Sequence, residues 1–231
     1  MRNEDLSAIR ALRLFSAMQE DAFAQLMRHG VFQRFPPGVT LIREGERPDF
    51  LHVVVDGLVE MYAASAGRET TLDLVRPVRT FILAAVLGDL VHLQSARTLE
   101  PTRILMVPAA QVRAAVAADA AFMQAIIAEL GRNYRGAMRS LKEQKLRTGT
   151  GRLANWLLRL RGAQGGATRL DLGCEKRTLA AWLGMTPENL SRAFVALRAH
   201  GVRVHGARVE VTDPDALIAF AHPDPLLDGE D

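Results

Sequence analysis

From Thr186 to Arg192 the chain reads Thr-Pro-Glu-Asn-Leu-Ser-Arg. Three of these side chains match the edges of nucleic-acid bases. An arginine forks onto the O6 and N7 acceptors of guanine, a glutamate accepts from the amino group of cytosine, and a serine serves either kind of base. Thr186 is a good helix N-cap, and Pro187 suits the first helical position, where its missing N–H costs nothing. The spacing therefore sets Glu188, Ser191 and Arg192 at the start of a helix, the part of a recognition helix that meets base edges in the major groove. Thr186 and Asn189 beside them, Lys176 and Arg177 before them, and Arg203 and Arg208 after them are the expected contacts to the phosphate backbone. Two packed helices with no role on DNA would give the same local pattern, so the rest of the chain has to decide.

Charge points the same way. The 231 residues carry a formal net charge of +3. Residues 132–208 hold 13 Arg and 3 Lys against 4 acids, whereas residues 1–131 hold 13 Arg against 15 acids, and residues 209–231 hold 7 acids and no base. An arginine-rich composition explains the residue type but not the scarcity of acids in the middle block. A polyanion partner does explain it, because each cation placed on a phosphate releases a condensed counterion.

Composition narrows the other classes. At 48% hydrophobic and 24% charged residues, the chain has the balance of a soluble globular protein. It has no uncharged apolar run of about 18 residues, as a membrane span requires. The segment MRNEDLSAIRALRLF has no apolar core of the signal-peptide type, so a cytoplasmic location is expected. The single cysteine, Cys174, cannot form an internal disulfide, a zinc site of several thiolates or a protein-held iron–sulfur cluster. It reads as a small apolar filler, with a thiol switch as the other possibility. There is no Gly-x-Ser-x-Gly, no His-Glu-x-x-His and no acid/base pair, so no enzyme is expected.

The elements that must hold these residues follow from periodicity. Residues 21–27 are helical. Short apolar runs at 39–42, 51–55, 58–63, 70–75, 95–99 and 103–107 are broken at Gly45, Asp56-Gly57, Ala66-Gly67 and Glu100-Pro101, the spacing of a small barrel or sandwich. Residues 109–118 form an Ala-rich helix, and Asp119 caps a long helix over 119–147. Met123, Ile127, Leu130, Tyr134, Ala137 and Leu141 recur at alternating steps of four and three, which makes one stripe and predicts a coiled-coil dimer seam. Packing of that stripe on its own barrel is the alternative. A helix at 152–160 (Leu153, Trp156, Leu157, Leu160) and a strand at 168–172 flank a glycine-rich loop at 162–166. That loop lacks the Gly-Lys-Ser/Thr of a phosphate loop. Leu179, Ala180 and Leu183 put one helix on a core, Gly184 and Met185 make a tight turn, and Leu190, Phe194 and Leu197 bury the next helix. This is a helix-turn-helix. Residues 202–211 alternate as a β-hairpin wing.

A β-rich module, a long helix and a winged helix-turn-helix in this order resemble the Crp/Fnr family of bacterial transcription regulators over roughly residues 20–220. GERPDFLHVVVDGLVEMY resembles the family's early roll, with Gly45 and Gly57 at its two glycine turns. The resemblance implies an α+β fold: a cyclic-nucleotide-binding-like β-roll over 1–118, a dimerisation helix over 119–147 and a winged helix-turn-helix DNA-binding domain over 148–231. It implies a homodimeric regulator, an activator, with double-stranded DNA and RNA polymerase as partners. Glu188-x-x-Ser191-Arg192 resembles the Fnr-type reading head and implies a palindrome like TTGAT-N4-ATCAA.

The effector cassette departs from the family pattern. Aligned from Phe81, the chain has Leu83-Ala84 in place of Gly-Glu and Gln94-Ser95 in place of Arg-Ser. The arginine for a cyclic phosphate and the carboxylate for a ribose hydroxyl are both missing, and an anion in that apolar segment would be poorly compensated. Cyclic AMP and an iron–sulfur cluster are therefore not expected. Family members without the cassette include heme-dependent sensors of nitric oxide or carbon monoxide, for which His92 is the candidate iron ligand. The plainer expectation for His92 is a partly exposed loop residue, for His52 a packed core residue, and for His29 a helix end. A module that binds an effector and regulates a protein partner, with the C-terminal helices as an interaction domain, is the reading from another class.

Overall fold

The computed structural model describes residues 3–229. It divides into two compact units, Met1–Asn133 and Tyr134–Asp231. In the first, α1 (Asn3–Arg10), α2 (Arg13–Ser16) and α3 (Glu20–Arg28) precede the strands β1 (Val31–Phe35), β2 (Thr40–Ile42), β3 (Phe50–Asp56), β4 (Val59–Ser65), β5 (Arg68–Val75) and β6 (Arg79–Phe81). Helix α4 (Leu83–Gly88) follows, then β7 (Ser95–Thr98), β8 (Thr102–Pro108), α5 (Ala109–Ala118) and the long α6 (Ala120–Leu146), whose second half belongs to the other unit.

The strands form two antiparallel sheets, ordered β1-β8-β3-β6 and β2-β7-β4-β5. Side chains alternate across a strand, and here each direction finds a core. Val54 and Ile104 enter the space between the sheets with Ile42, Val59, Met61, Val75, Phe81 and Ala96. Their neighbours Val53 and Leu105 point the other way, into a second core with Phe15, Phe23, Leu26, Val112, Phe122 and Ile126 from the helices. Burial on both faces explains why polarity alternates only partly along these runs. Asp5 closes the arrangement by accepting from Arg103 at 2.8 and 2.6 Å.

Asp119 divides α5 from α6. Its Oδ1 accepts from the N–H groups of Phe122 and Ala121 at 3.0 and 2.9 Å, and its Oδ2 from that of Gln19 at 2.9 Å. The bonds from Phe122 and Gln19 hold this carboxyl below its ordinary range. The Phe122 and Ala121 bonds satisfy donors that the first turn of α6 would otherwise leave orphaned.

The second unit adds α7 (Gly149–Ala163), β9 (Arg169–Asp171), α8 (Lys176–Trp182), α9 (Pro187–Ala196), a 3₁₀ turn (Leu197–His200), β10 (Val202–His205), β11 (Arg208–Val211), α10 (Pro214–Ala221) and α11 (Pro225–Asp228). Its three strands are ordered β10-β11-β9. Leu153, Leu157, Leu170, Leu179, Leu190, Phe194, Leu197, Val209 and Leu217 meet in one core. Among the described residues no single helix is long and apolar enough to cross a membrane.

The sequence reading omitted β1, β6 and the helices α1, α2, α4, α10 and α11. Several are only three or four residues long, and β1 leaves three of its five residues exposed, so it offers little apolar period to read. Gly57, anticipated at a turn, has φ 93°, and a Cβ there would lie 2.5 Å from Thr102 Oγ1 and 2.7 Å from the Pro101 carbonyl oxygen. Gly67 has φ 75° but open space around it. Gly57→Ala is therefore expected to cost roughly 2 kcal/mol or more, against about 1 kcal/mol for Gly67→Ala, which meets only the backbone penalty. Urea unfolding of both variants checks this, and equal losses would contradict the close approach at Gly57.

Candidate nucleic-acid interface

Helix α9 starts as its sequence requires. Thr186, in extended conformation, accepts from the Asn189 N–H at 3.2 Å, and Pro187 occupies the first turn. Leu190, Ala193 and Phe194 face the core. Glu188, Asn189, Ser191 and Arg192 are left on the solvent side, all exposed. The Glu188 carboxyl lies below its ordinary range because of a hydrogen bond with the Thr186 side chain, a bond to its own backbone N–H and the nearby Arg192 charge. The Ser191 hydroxyl donates to the Pro187 carbonyl at 3.0 Å. Lys176 and Arg177, in the first turn of α8, are exposed as well.

The wing is a hairpin in which His205 pairs with Arg208 across the two-residue turn Gly206-Ala207, and Gly206 has φ 62°. Positive φ at the first turn position is what such hairpins need. Arg203 and Arg208 are exposed on it. Glu210, opposite Arg203, also lies 3.5 Å from Arg169 and 3.7 Å from His205.

The turn between α8 and α9 is held from behind by Arg152, which is 8% exposed. Its Nε donates to the Leu183 carbonyl at 2.8 Å, and its two terminal nitrogens donate to Arg147 at 2.7 Å and Gly184 at 3.2 Å. Burial lowers its pKa and the Glu143 charge raises it, with a net downward shift. Gly184 has φ 64°, and a Cβ there would come within 2.5 Å of the Gln144 amide oxygen. The Trp156 and Trp182 rings meet edge to face at 6.2 Å.

Sequence reasoning missed Arg152 because it counted every arginine of the basic block as a surface charge. Arg147 and Arg159 are likewise committed inward, to Glu143 and Asp228. The signal available was position: Arg152 stands one residue before Leu153, inside the apolar spacing of its helix.

The other candidate residues fall as follows. On α6, Met123, Ile127, Tyr134, Ala137 and Leu141 are exposed, while Leu130 is partly buried against the core of the first unit. Phe81 packs between the sheets, Leu83 packs in the helix-side core, and Ala84 is exposed. Gln94 and Ser95 are half-buried, and the Ser95 hydroxyl accepts from the Glu44 N–H at 3.0 Å. His29 is exposed at the end of α3, and Cys174 packs partly buried against the core of the second unit.

His52 is buried and stacks on Phe81 at 5.1 Å. Burial lowers its pKa to about 4, helped by the nearby His92. His92 corrects the expectation of a partly exposed loop residue. It is 3% exposed, and its backbone N–H donates to the Glu46 carbonyl at 2.8 Å while its backbone carbonyl accepts from the Gly45 N–H at 2.8 Å, which ties this loop to that of residues 45–46. Burial lowers its pKa too, against the pull of Glu46 and Asp49. The Nδ1 atoms of both histidines lack hydrogen-bond partners.

Residues 32–119 match the model for the cyclic nucleotide-binding domain, and residues 151–220 match that for the Crp-like helix-turn-helix domain. The chain belongs to the Crp/Fnr family. It is 26% identical over 210 residues to a CRP-like cAMP-activated global transcriptional regulator of Mycobacterium tuberculosis, covering 88% of this chain and 94% of that one. A candidate cAMP-binding regulatory protein of Silicibacter pomeroyi aligns with TM-score 0.64 and 26% identity, over 96% of this chain and all of that one. FixK2 of Bradyrhizobium japonicum shares the fold, with TM-score 0.73 and 20% identity over 82% of this chain and 96% of that one. This member of the family is a DNA-binding transcription regulator of the Crp/Fnr type.

Arg152→Lys keeps the charge but cannot span three carbonyls with one ammonium. It is expected to cost about 2–4 kcal/mol in denaturant unfolding. A loss under about 0.5 kcal/mol, typical of a surface site, would show that the turn is held by something else.

Proposed function

We propose that the regulator is a cytoplasmic homodimer that reads a palindrome resembling TTGAT-N4-ATCAA. Residues 1–118 would serve as the sensor, 119–147 as the dimerisation helix and 148–231 as the DNA-binding domain, with activation through contact with RNA polymerase. The observation that carries this reading is the exposure of Glu188, Ser191 and Arg192 at the capped, core-anchored start of α9. The exposed stripe of Met123, Ile127, Tyr134 and Leu141 supports the dimer. Lys176, Arg177, Thr186, Asn189, Arg203 and Arg208 would hold the phosphates.

Gating by cyclic AMP in the family manner is not part of this reading. The arginine of β7, Arg97, is spent on Glu60 at 2.8 Å and Glu69 at 3.0 Å and lies over the Tyr62 ring. Its neighbour Ala96 is the residue that enters the inter-sheet core, so alternation along the strand directs Arg97 away from that interior. A second reading, heme-based sensing, is favoured by His92. Its buried Nδ1 lacks a partner, and Leu90, Val91 and Leu93 beside it are exposed apolar side chains. His92 would hold the iron, and heme would supply a site for a diatomic gas.

Arg192→Ala is expected to lose palindrome preference by about 1–3 kcal/mol per half-site, whereas Arg208→Ala should weaken all sequences alike and reduce the salt slope by about 1. Mobility shifts across operator variants and salt concentrations test both. Unchanged sequence preference in Arg192→Ala would remove that residue from the reading head.

Cyclic AMP is expected to leave operator affinity unchanged. Titration with heme decides the second reading: a Soret shift that His92→Ala abolishes supports it, and no shift ends it.

A further inference from the structure

Helix α11 lies where α6 gives way to α7. Asp228 accepts from both terminal nitrogens of Arg147, at 2.8 and 2.5 Å, and from Arg159 at 2.6 Å. Glu143 engages the same two arginines at 3.1 and 2.7 Å. Glu143 is on α6, Arg147 just beyond its end and Arg159 on α7, so the four charges bridge the joint at Thr148. The bridge is sheltered, with the side chains of Arg147 and Asp228 only 10% and 11% exposed. Burial pushes the Asp228 carboxyl up, but the bonds from Arg147 and the Asp224 N–H and the charges of Arg147 and Arg159 hold it below its ordinary value.

α11 is itself shaped by carboxylates. Asp228 accepts from the Asp224 N–H at 2.8 Å, and Asp224 accepts from that of Leu226 at 2.8 Å. A second tie runs from Arg139 Nε to the Leu226 carbonyl at 3.3 Å. Leu227 is buried beneath the turn. None of these groups lies among the exposed base-reading residues of α9. Their shared effect is to fix the direction in which α7, and the helix-turn-helix packed on it, leaves the distal half of α6.

We propose that Asp228 is a positioning residue for DNA recognition: it straps α7 to the end of α6 and so sets the separation of half-sites that a dimer accepts. The proposal rests on the palindromic, dimeric reading above. A purely stabilising staple would weaken binding to every operator equally. A strap that sets geometry would govern which spacer between half-sites is accepted, while leaving the bases read within each half-site unchanged.

The test measures binding of full-length wild-type protein and Asp228→Asn to operators whose spacer is shortened or lengthened by one and two bases. Wild type is expected to prefer one spacer. In Asp228→Asn that preference should fall by about tenfold while base preference within a half-site is kept, since loss of one partner of a sheltered charge cluster loosens what it held. An equal loss on all spacers, or an unaltered spacer profile, overturns the proposal. If Asp228→Asn fails to fold, Glu143→Gln leaves Asp228 in place and is judged by the same two outcomes. If wild type shows no spacer preference, the palindromic reading fails instead. Hydrogen exchange at the amides of residues 147–152 keeps the two failures apart: faster exchange in Asp228→Asn leaves the joint strapped but ends its role in spacing, and unchanged exchange overturns the strap as well.

Discussion

The guanidinium of Arg152 joins two stretches of the chain that are far apart in sequence: the carbonyl just past α6 and two adjacent carbonyls in the turn between α8 and α9. A sheltered carbonyl without a donor costs about 1–3 kcal/mol, and this one side chain meets three. It needs close backbone approach, and the glycines around it supply that. A Cβ on Gly149 would come within 2.6 Å of Met185 Sδ, and a Cβ on Gly184 would reach Gln144. The placement of Glu188, Ser191 and Arg192 depends on this packing, because α9 begins only three residues after Gly184.

Most of this region was legible in the sequence. The Thr-Pro start, the leucines of the core face and the glycine turns act over a few residues, and such local signals survive without knowledge of the fold. The α5–α6 boundary at Asp119 was legible for the same reason, since a capping carboxylate announces itself. What could not be read were pairings over long separations. Asp5 with Arg103, and Asp228 with Arg147 and Arg159, bring together residues with no shared period. Arg152 was hidden by its own type, because charge counting cannot tell a solvated guanidinium from one facing carbonyls. His92 is tied to the loop of Gly45 and Glu46 by two backbone hydrogen bonds, a long-range pairing that no local pattern encodes.

The first unit matches the cyclic nucleotide-binding domain while departing from the sequence pattern of the family's nucleotide cassette. Its two sheets retain an apolar interior, and Gly57 turns closely against Pro101 and Thr102. Where the family pattern has polar groups for a nucleotide, this chain has Leu83 packed in a core and Ala84 on the surface. Among the described residues of that unit, two buried imidazoles, each shifted toward the neutral form, keep an Nδ1 without a hydrogen-bond partner. The packing of the sheets does not depend on that cassette, because the core residues between them lie on the opposite strand faces from Arg97 and Glu60.

The inward commitment of Arg147 and Arg159 bears on how the protein searches a chromosome. Their positive charge is already balanced by Glu143 and Asp228, so these two side chains are not free to neutralise phosphates and release the cations condensed on a duplex. The entropy gained on landing at an arbitrary site is smaller than a tally of arginines implies. The proposed contact of Arg192 with a matched site does not draw on this pair, so the balance of grip shifts toward that site.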